Sequence, residues 1–398
     1  MAVAVVLIQS ASLFRSFPSN PACGRILNVF ANLNVLINCD SAVFMKDAQS
    51  PSRLFDGESV YQDRPAHALS VWTMSNILKV IGFPNSSREI IGNSGETTLY
   101  QSAFYFSYLM INLLILLVAV KLAINYIYPE SHTHKTFPKA ASVLLIILLV
   151  AGNELAKTFF WTPHSQMFNL LLPALALALI SNREKITTFR VFLSLTAGLV
   201  FLMFFYPLFG LLLSILIYGS YSKFWKRALI VSTMLSGYLL YPRVLEYLGG
   251  SYSNYAILKF RQYVWILDAT KQDMLRERSI ENVNSFISTI PLIPTLLITL
   301  SMIFLFVVTS KIDKRTANFR SEFLPYLLFF TLYIFSVLAM GYYSRRLTLG
   351  PFIFLELLIL RNVILISRDD FQKVRMFATY GLLLLLISSW LWTNGPLS

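Results

Sequence analysis

The sequence predicts an all-α polytopic membrane protein with about eleven transmembrane helices. Three observations predict it. The 398 residues are 56% hydrophobic and only 13% charged, about half the charged share of a soluble domain. The apolar runs are long and unbroken instead of alternating, which selects helices over a closed barrel. The Lys and Arg residues behind the net charge of +13 gather in short links between those runs, as membrane proteins place them on the cytoplasmic side. The same distribution argues against a nucleic-acid partner.

The elements follow in order. Residues 2–14 form a short apolar segment, read as a shortened first helix in preference to a signal-like stretch. Residues 15–99 form a polar first outer loop with turn signals at Pro18, Pro21, Pro51, Asp56-Gly57 and Pro84. Cys23 and Cys39 lie in it at a spacing that allows a disulfide. Within this loop, residues 41–49 read as a short helix with Asp40 at its N-cap. Ser50-Pro51 opens another. Residues 65–81 set Leu69, Trp72, Ile77, Leu78 and Ile81 among polar partners, which fits a helix lying in the membrane interface.

Further spans are expected near 100–128, 139–158, 164–180, 189–205, 208–221, 228–243, 289–310, 322–341, 347–365 and 376–393. The join at Tyr206-Pro207 decides the orientation. If 189–221 holds two spans, five basic links fall on one side, which is then cytoplasmic. They carry Lys135 and Lys139, Arg183 and Lys185, Lys223 with Lys226 and Arg227, Lys311 with Lys314 and Arg315, and Lys373 with Arg375. The opposite, outer face receives residues 15–99, the turn 160–164, a second large loop at 244–288, and residues 342–346. The chain then reads as one transmembrane domain, 1–398, in a plasma (inner) membrane.

The groups suited to chemistry converge on that outer face. Asp40, Asp47, Asp56 and Asp63 lie in the first loop, with Arg64-Pro65 after them. Glu154 comes near the outer end of a span, a costly place for a charge. His164 and Gln166 sit in the polar turn Trp161-Thr-Pro-His-Ser-Gln166. Lys259 and Arg261 belong to the second loop. Arg345 and Arg346 stand at the outer end of a late span, against the positive-inside trend. Each also has a plainer reading. Asp40 fits a helix N-cap, and His164 fits a helix anchor. Glu154 fits a rim charge paired with Lys157, Arg64, Lys259 and Arg261 fit solvated loop charges, and Arg345 and Arg346 fit nonspecific contacts with lipid headgroups. The pair His132 and His134 lies in a cytoplasmic link and is not expected to hold a metal.

These residues resemble those of the C-type integral membrane glycosyltransferases, which use polyprenyl-phosphate sugars. In that superfamily an acidic residue follows the first helix, an interfacial helix comes next, and a His-Pro or Arg-Pro step lies some two dozen residues on. Asp40 and Arg64-Pro65 match that order. The stretch Tyr343-Ser-Arg-Arg-Leu-Thr-Leu-Gly-Pro351 is similar to the family's late Arg-Tyr-Leu-x-Pro-like step, and the turn 161–169 to its second outer loop. The resemblance implies a multi-pass enzyme with its active site on the periplasmic or extracellular face. The family's common Asp-Glu or Asp-Asp pair is missing, because Ser41 follows Asp40. No cofactor is firmly implied, although a divalent metal is compatible with the family.

The chemistry fits the residues. Glycosyl transfer needs a base for the acceptor hydroxyl and positive charge for the departing phosphate. Asp40 is expected as the base, giving inversion at the anomeric carbon. Arg345 and Arg346 are expected to bind the donor phosphate, since a guanidinium meets phosphate oxygens bidentately. Arg64, Glu154, His164, Gln166, Lys259 and Arg261 are expected to bind substrate. The expected partners are a polyprenyl-phosphate sugar, a glycan, lipid or protein acceptor, and membrane lipid. Two other readings stand beside this one. A cell-surface polysaccharide polymerase would use a diphosphate-linked oligosaccharide. A transporter would carry charged sites at mid-membrane, where this chain has almost none.

Overall fold

The computed structural model describes residues 1–11, 25–30, 33–37, 40–91, 95–128, 139–186, 188–218, 224–252, 264–289, 300, 316–340 and 345–366. Several expectations lie outside the described residues: both cysteines, His132 and His134, Lys259 and Arg261, the span 376–393, and nearly all of the span 289–310.

The chain is mostly helical. Fourteen α-helices and two antiparallel hairpins occur among the described residues. The first helix, α1 (Ala2–Ala11), is as short as expected. It buries Val5 and Gln9. The hairpins β1 (Arg25–Phe30) with β2 (Leu33–Ile37), and β3 (Ser87–Ile91) with β4 (Thr97–Gln101), were not expected in the first loop. In β4 the strand signal is visible in retrospect. Thr98 and Tyr100 are buried while Thr97 and Leu99 are exposed, the period of two of a strand with one covered face. Its polar Thr residues hide that period in a hydropathy reading.

Between the hairpins lie α2 (Ser41–Gln49), a 3-10 turn at Pro51–Leu54 and α3 (Pro65–Val80). Proline opens the last two, where its missing N–H costs no helical bond. Helix α3 buries His67, Ala68, Val71, Ser75 and Leu78, a stripe at three- and four-residue spacing. It leaves Trp72, Ile77 and Val80 exposed. With Phe44, Met45, Tyr61, Tyr100 and Tyr108 it forms a small core of its own.

The bundle proper begins with α4 (Ser102–Ile127). The expected span 139–158 is two helices, α5 (Lys139–Ala151) and α6 (Glu154–Phe159). Asn153 breaks it, because its side chain accepts the N–H of Ala156 at 2.9 Å and caps a new helix. Then come α7 (Phe168–Ser181), α8 (Phe189–Met203), a 3-10 turn at Pro207–Leu211, α9 (Leu212–Tyr218) and α10 (Phe224–Tyr247). The chain doubles back at Tyr206-Pro207. Arg227 locates both ends of that hairpin: Nη2 donates to Ile186 O at 3.3 Å, ahead of α8, and Nη1 to Leu216 O at 3.2 Å, late in α9. The expected loop 244–288 contains α11 (Val264–Lys271) and most of α12 (Leu275–Thr289). Helices α13 (Thr316–Met340) and α14 (Arg345–Ile366) complete the described part.

Among the described residues, three stretches are long and apolar enough to cross a membrane: Ser102–Ile127, Trp225–Tyr247 and Glu322–Met340. Four shorter apolar helical runs accompany them, at Ser165–Ser181, Phe189–Met203, Pro207–Ile217 and Leu349–Leu358. Helix α7 packs against α4, α9, α13 and α14, around Leu116, Leu170, Leu177, Phe209, Leu212, Phe329 and Phe354.

The helix directions give the bundle two ends. At one, Arg227 meets residues 186 and 216, and Tyr126, Glu322 and Arg361 join α4, α13 and α14. The other end carries the first loop, the turn 160–167 and the start of α14. The N–H of Ala66 donates to Phe204 O there at 3.1 Å, and Tyr238 OH donates to Asp63 O at 3.2 Å.

Candidate functional site

Asp40 takes the N-cap position of α2 in helical backbone geometry, φ −59° and ψ −24°, and its side chain makes no capping hydrogen bond. Its Oδ2 lies 3.9 Å from Nε2 of His164 instead. The Asp40 side chain keeps 34% of its surface exposed, and that of His164 only 10%. The carboxylate is therefore reachable from solvent and the imidazole is its backing.

His164 is fixed from both sides. Its Nδ1 accepts the backbone N–H of Gln166 at 3.1 Å. Its ring tilts against Phe44 at 4.8 Å and Phe159 at 4.9 Å between centroids. The next residue, Ser165, accepts from Nη1 of Arg64 at 2.5 Å. The Arg64 guanidinium lies over the Tyr61 ring at 5.0 Å and near the Tyr206 ring at 5.7 Å. Its Nε is 3.6 Å from Asp63 Oδ1. A fork of planar donors resting on aromatic faces suits arginine and not lysine. One carboxylate, one imidazole and one guanidinium thus share one end of the bundle.

Behind them lies His67, one helical turn after Arg64. It is 1% exposed, with Phe44 at 5.9 Å and Tyr108 and Phe168 each at 5.4 Å. Burial, then the charge of Arg64 and the nearby His164, push its pKa down to about 3. It is a neutral wall. Asp47 lies further along α2. Burial raises its carboxyl to about 6 against the lowering bonds from Ser59 and Arg53. Ser59 Oγ donates to Oδ2, and Arg53 Nε approaches Oδ1 at 3.4 Å.

Gln166 Oε1 accepts from Asn169 Nδ2. Asn169 Oδ1 in turn accepts from Tyr206 OH at 2.8 Å. The Tyr333 hydroxyl lies 3.2 Å from that same oxygen and 2.5 Å from Leu347 O. Gly350 presses on the Asn169 carbonyl, where an added Cβ would clash. The start of α14 is thereby tied to the turn that holds His164.

Of the expected site residues, Asp40, Arg64, His164 and Gln166 come together. Arg345 and Arg346 are the first two residues of α14, at this same end, and their side chains lie outside the described residues. Glu154 opens α6, and its side chain likewise lies outside them. His67, Ser165, Asn169, Tyr206 and Tyr333 are additions. The spacing of His67 three residues after Arg64 on one helix was a usable signal; for Tyr333 there was none. Among the described residues no three His, Cys, Asp or Glu side chains converge with metal-site geometry. Comparison of the chain with known protein families, curated proteins and solved structures gives no match.

Proposed function

We propose that the chain is a membrane glycosyltransferase that moves a sugar from a polyprenyl-phosphate donor to an acceptor on the outer face. One observation carries the reading. Asp40 stands at the start of α2 with a third of its side chain exposed, and faces a buried histidine beside a buried arginine. A part-exposed carboxylate backed by an imidazole and a guanidinium can take a proton from a hydroxyl that approaches from solvent.

In this mechanism the acceptor hydroxyl gives its proton to Asp40 as its oxygen attacks the anomeric carbon. The bond from that carbon to the phosphate oxygen breaks with inversion, and its electron pair leaves on the phosphate. Arg64 supplies positive field at close range. Arg345 and Arg346 would hold the phosphate, helped by the positive N-terminal end of α14. Exposed Leu324, Leu328 and Phe335 on α13 offer the isoprenoid tail an apolar path toward this end.

The test is Asp40→Asn in a membrane transfer assay with a polyprenyl-phosphate hexose. Loss of a general base lowers turnover by about 10²- to 10⁴-fold, and that loss is expected at unchanged protein level. Transfer near the wild-type rate would remove Asp40 as the base. Flux across liposomes without chemical turnover would replace the reading with transport.

A further inference from the structure

We infer that His164 is the positioning residue of the base: a tautomer-locked Nε2–H donor that orients the Asp40 carboxylate without relaying its proton. The inference rests on the transferase reading above and adds a second residue to it.

The argument starts from the two ring nitrogens. A neutral imidazole carries one proton, and the nitrogen without it is the acceptor. Nδ1 of His164 already accepts the Gln166 backbone N–H at 3.1 Å. The proton therefore sits on Nε2, the nitrogen that faces Asp40 Oδ2 at 3.9 Å. Catalytic contacts often stand long without substrate and shorten when it binds. The ring cannot swing away from the carboxylate, because Phe44 and Phe159 bracket it.

The same geometry excludes a relay. A shuttle would pass the proton in at one nitrogen and out at the other. Here the far nitrogen meets a backbone N–H, a donor that cannot take up a proton. When Asp40 takes the acceptor's proton it becomes a neutral carboxylic acid and His164 stays unchanged. A donor to the charged form of a carboxylate stabilises that form. Among the described residues, Arg64, paired with Asp63 at 3.6 Å, and the buried His67, which feels the charge of His164, lie beside the dyad.

Two measurements test this. The first needs no substrate. The full chain, labelled with ¹⁵N-histidine in lipid nanodiscs, holds four histidines, and His164→Gln assigns the signal. Expected is a ring protonated at Nε2 and bare at Nδ1, with its Nε2 shift moved by Asp40→Asn. A ring protonated at Nδ1, or one indifferent to Asp40→Asn, overturns the inference. The second is transfer from a polyprenyl-phosphate hexose. His164→Ala should lower kcat by about ten- to a hundredfold at unchanged donor KM, and move the acidic limb of the pH profile upward. His164→Gln keeps an N–H near the ε position and should recover much of both; equal loss in the two variants overturns the inference. Failure of the transferase reading shows separately, as no transfer by the wild-type chain while the ring-nitrogen pattern and its response to Asp40→Asn stand.

Discussion

Arg361 reaches both oxygens of Glu322 from one nitrogen, at 2.8 and 2.9 Å from Nη1. Tyr126 OH donates to the same carboxylate at 2.8 Å, and the guanidinium lies 4.4 Å over its ring. Three helices are joined at the end away from the site. Removing one member of a mostly buried pair strands the other. Glu322→Gln or Arg361→Met should each cost about 3 kcal/mol of stability, read as a lower melting temperature in detergent. The double variant should recover much of that loss, since two apolar or neutral partners leave no charge behind.

Gly350 sets how closely α14 approaches α7. A methyl group there would strike the Asn169 carbonyl oxygen. Membrane helices use small residues for such close contacts. Gly350→Ala should cost about 1–3 kcal/mol. Transfer should fall further than stability does, because the Arg345–Arg346 end of α14 shifts against His164. Melting and transfer measured on one preparation separate the two effects.

His67 should make the fold sensitive to acid. Its pKa falls from 6.5 to about 3 on folding. Between those values the unfolded chain binds the extra proton and the folded one does not. Stability is therefore full above about pH 6.5 and declines by about 1.4 kcal/mol per pH unit below it. His67→Phe preserves the aromatic packing and should flatten this decline, seen in melting temperatures across pH 4–7.

Asp47 should act with the opposite sign. Its carboxyl rises from 3.8 to about 6 on folding, so the folded state holds the extra proton in that window. Its contribution is most favourable below about pH 4 and is lost as pH rises to 6. Asp47→Asn should raise stability near neutral pH relative to wild type by about 1–3 kcal/mol, with part of the gain offset by the weakened bonds from Ser59 and Arg53. The difference should vanish near pH 4.

Much of this was legible in the chain. Long apolar runs and basic links gave the helices and the hairpin at Tyr206-Pro207. The expected start of α2 at Asp40 and the proline that opens α3 fell where read, although Asp40 makes no capping bond. What stayed hidden depends on contacts between distant positions. That the Asp40 carboxylate meets His164, over a hundred residues later, is carried by no local pattern. The break at Asn153 was legible but outweighed by the hydropathy around it. The strands β3 and β4 were hidden by polar Ser and Thr on a half-covered face. Tyr206 and Tyr333 look like ordinary span aromatics until both hydroxyls meet Asn169.

A single phenolic hydrogen on Tyr333 is divided between two acceptors, Leu347 O at 2.5 Å and Asn169 Oδ1 at 3.2 Å. It cannot bond both at full strength. Any displacement that draws α14 away from Tyr333 frees that hydrogen for Asn169, and so alters the amide that orients Gln166 beside His164. Movement of a phosphate-bearing lipid at the α14 terminus would in this way be felt at the imidazole without a hinge or a domain rotation.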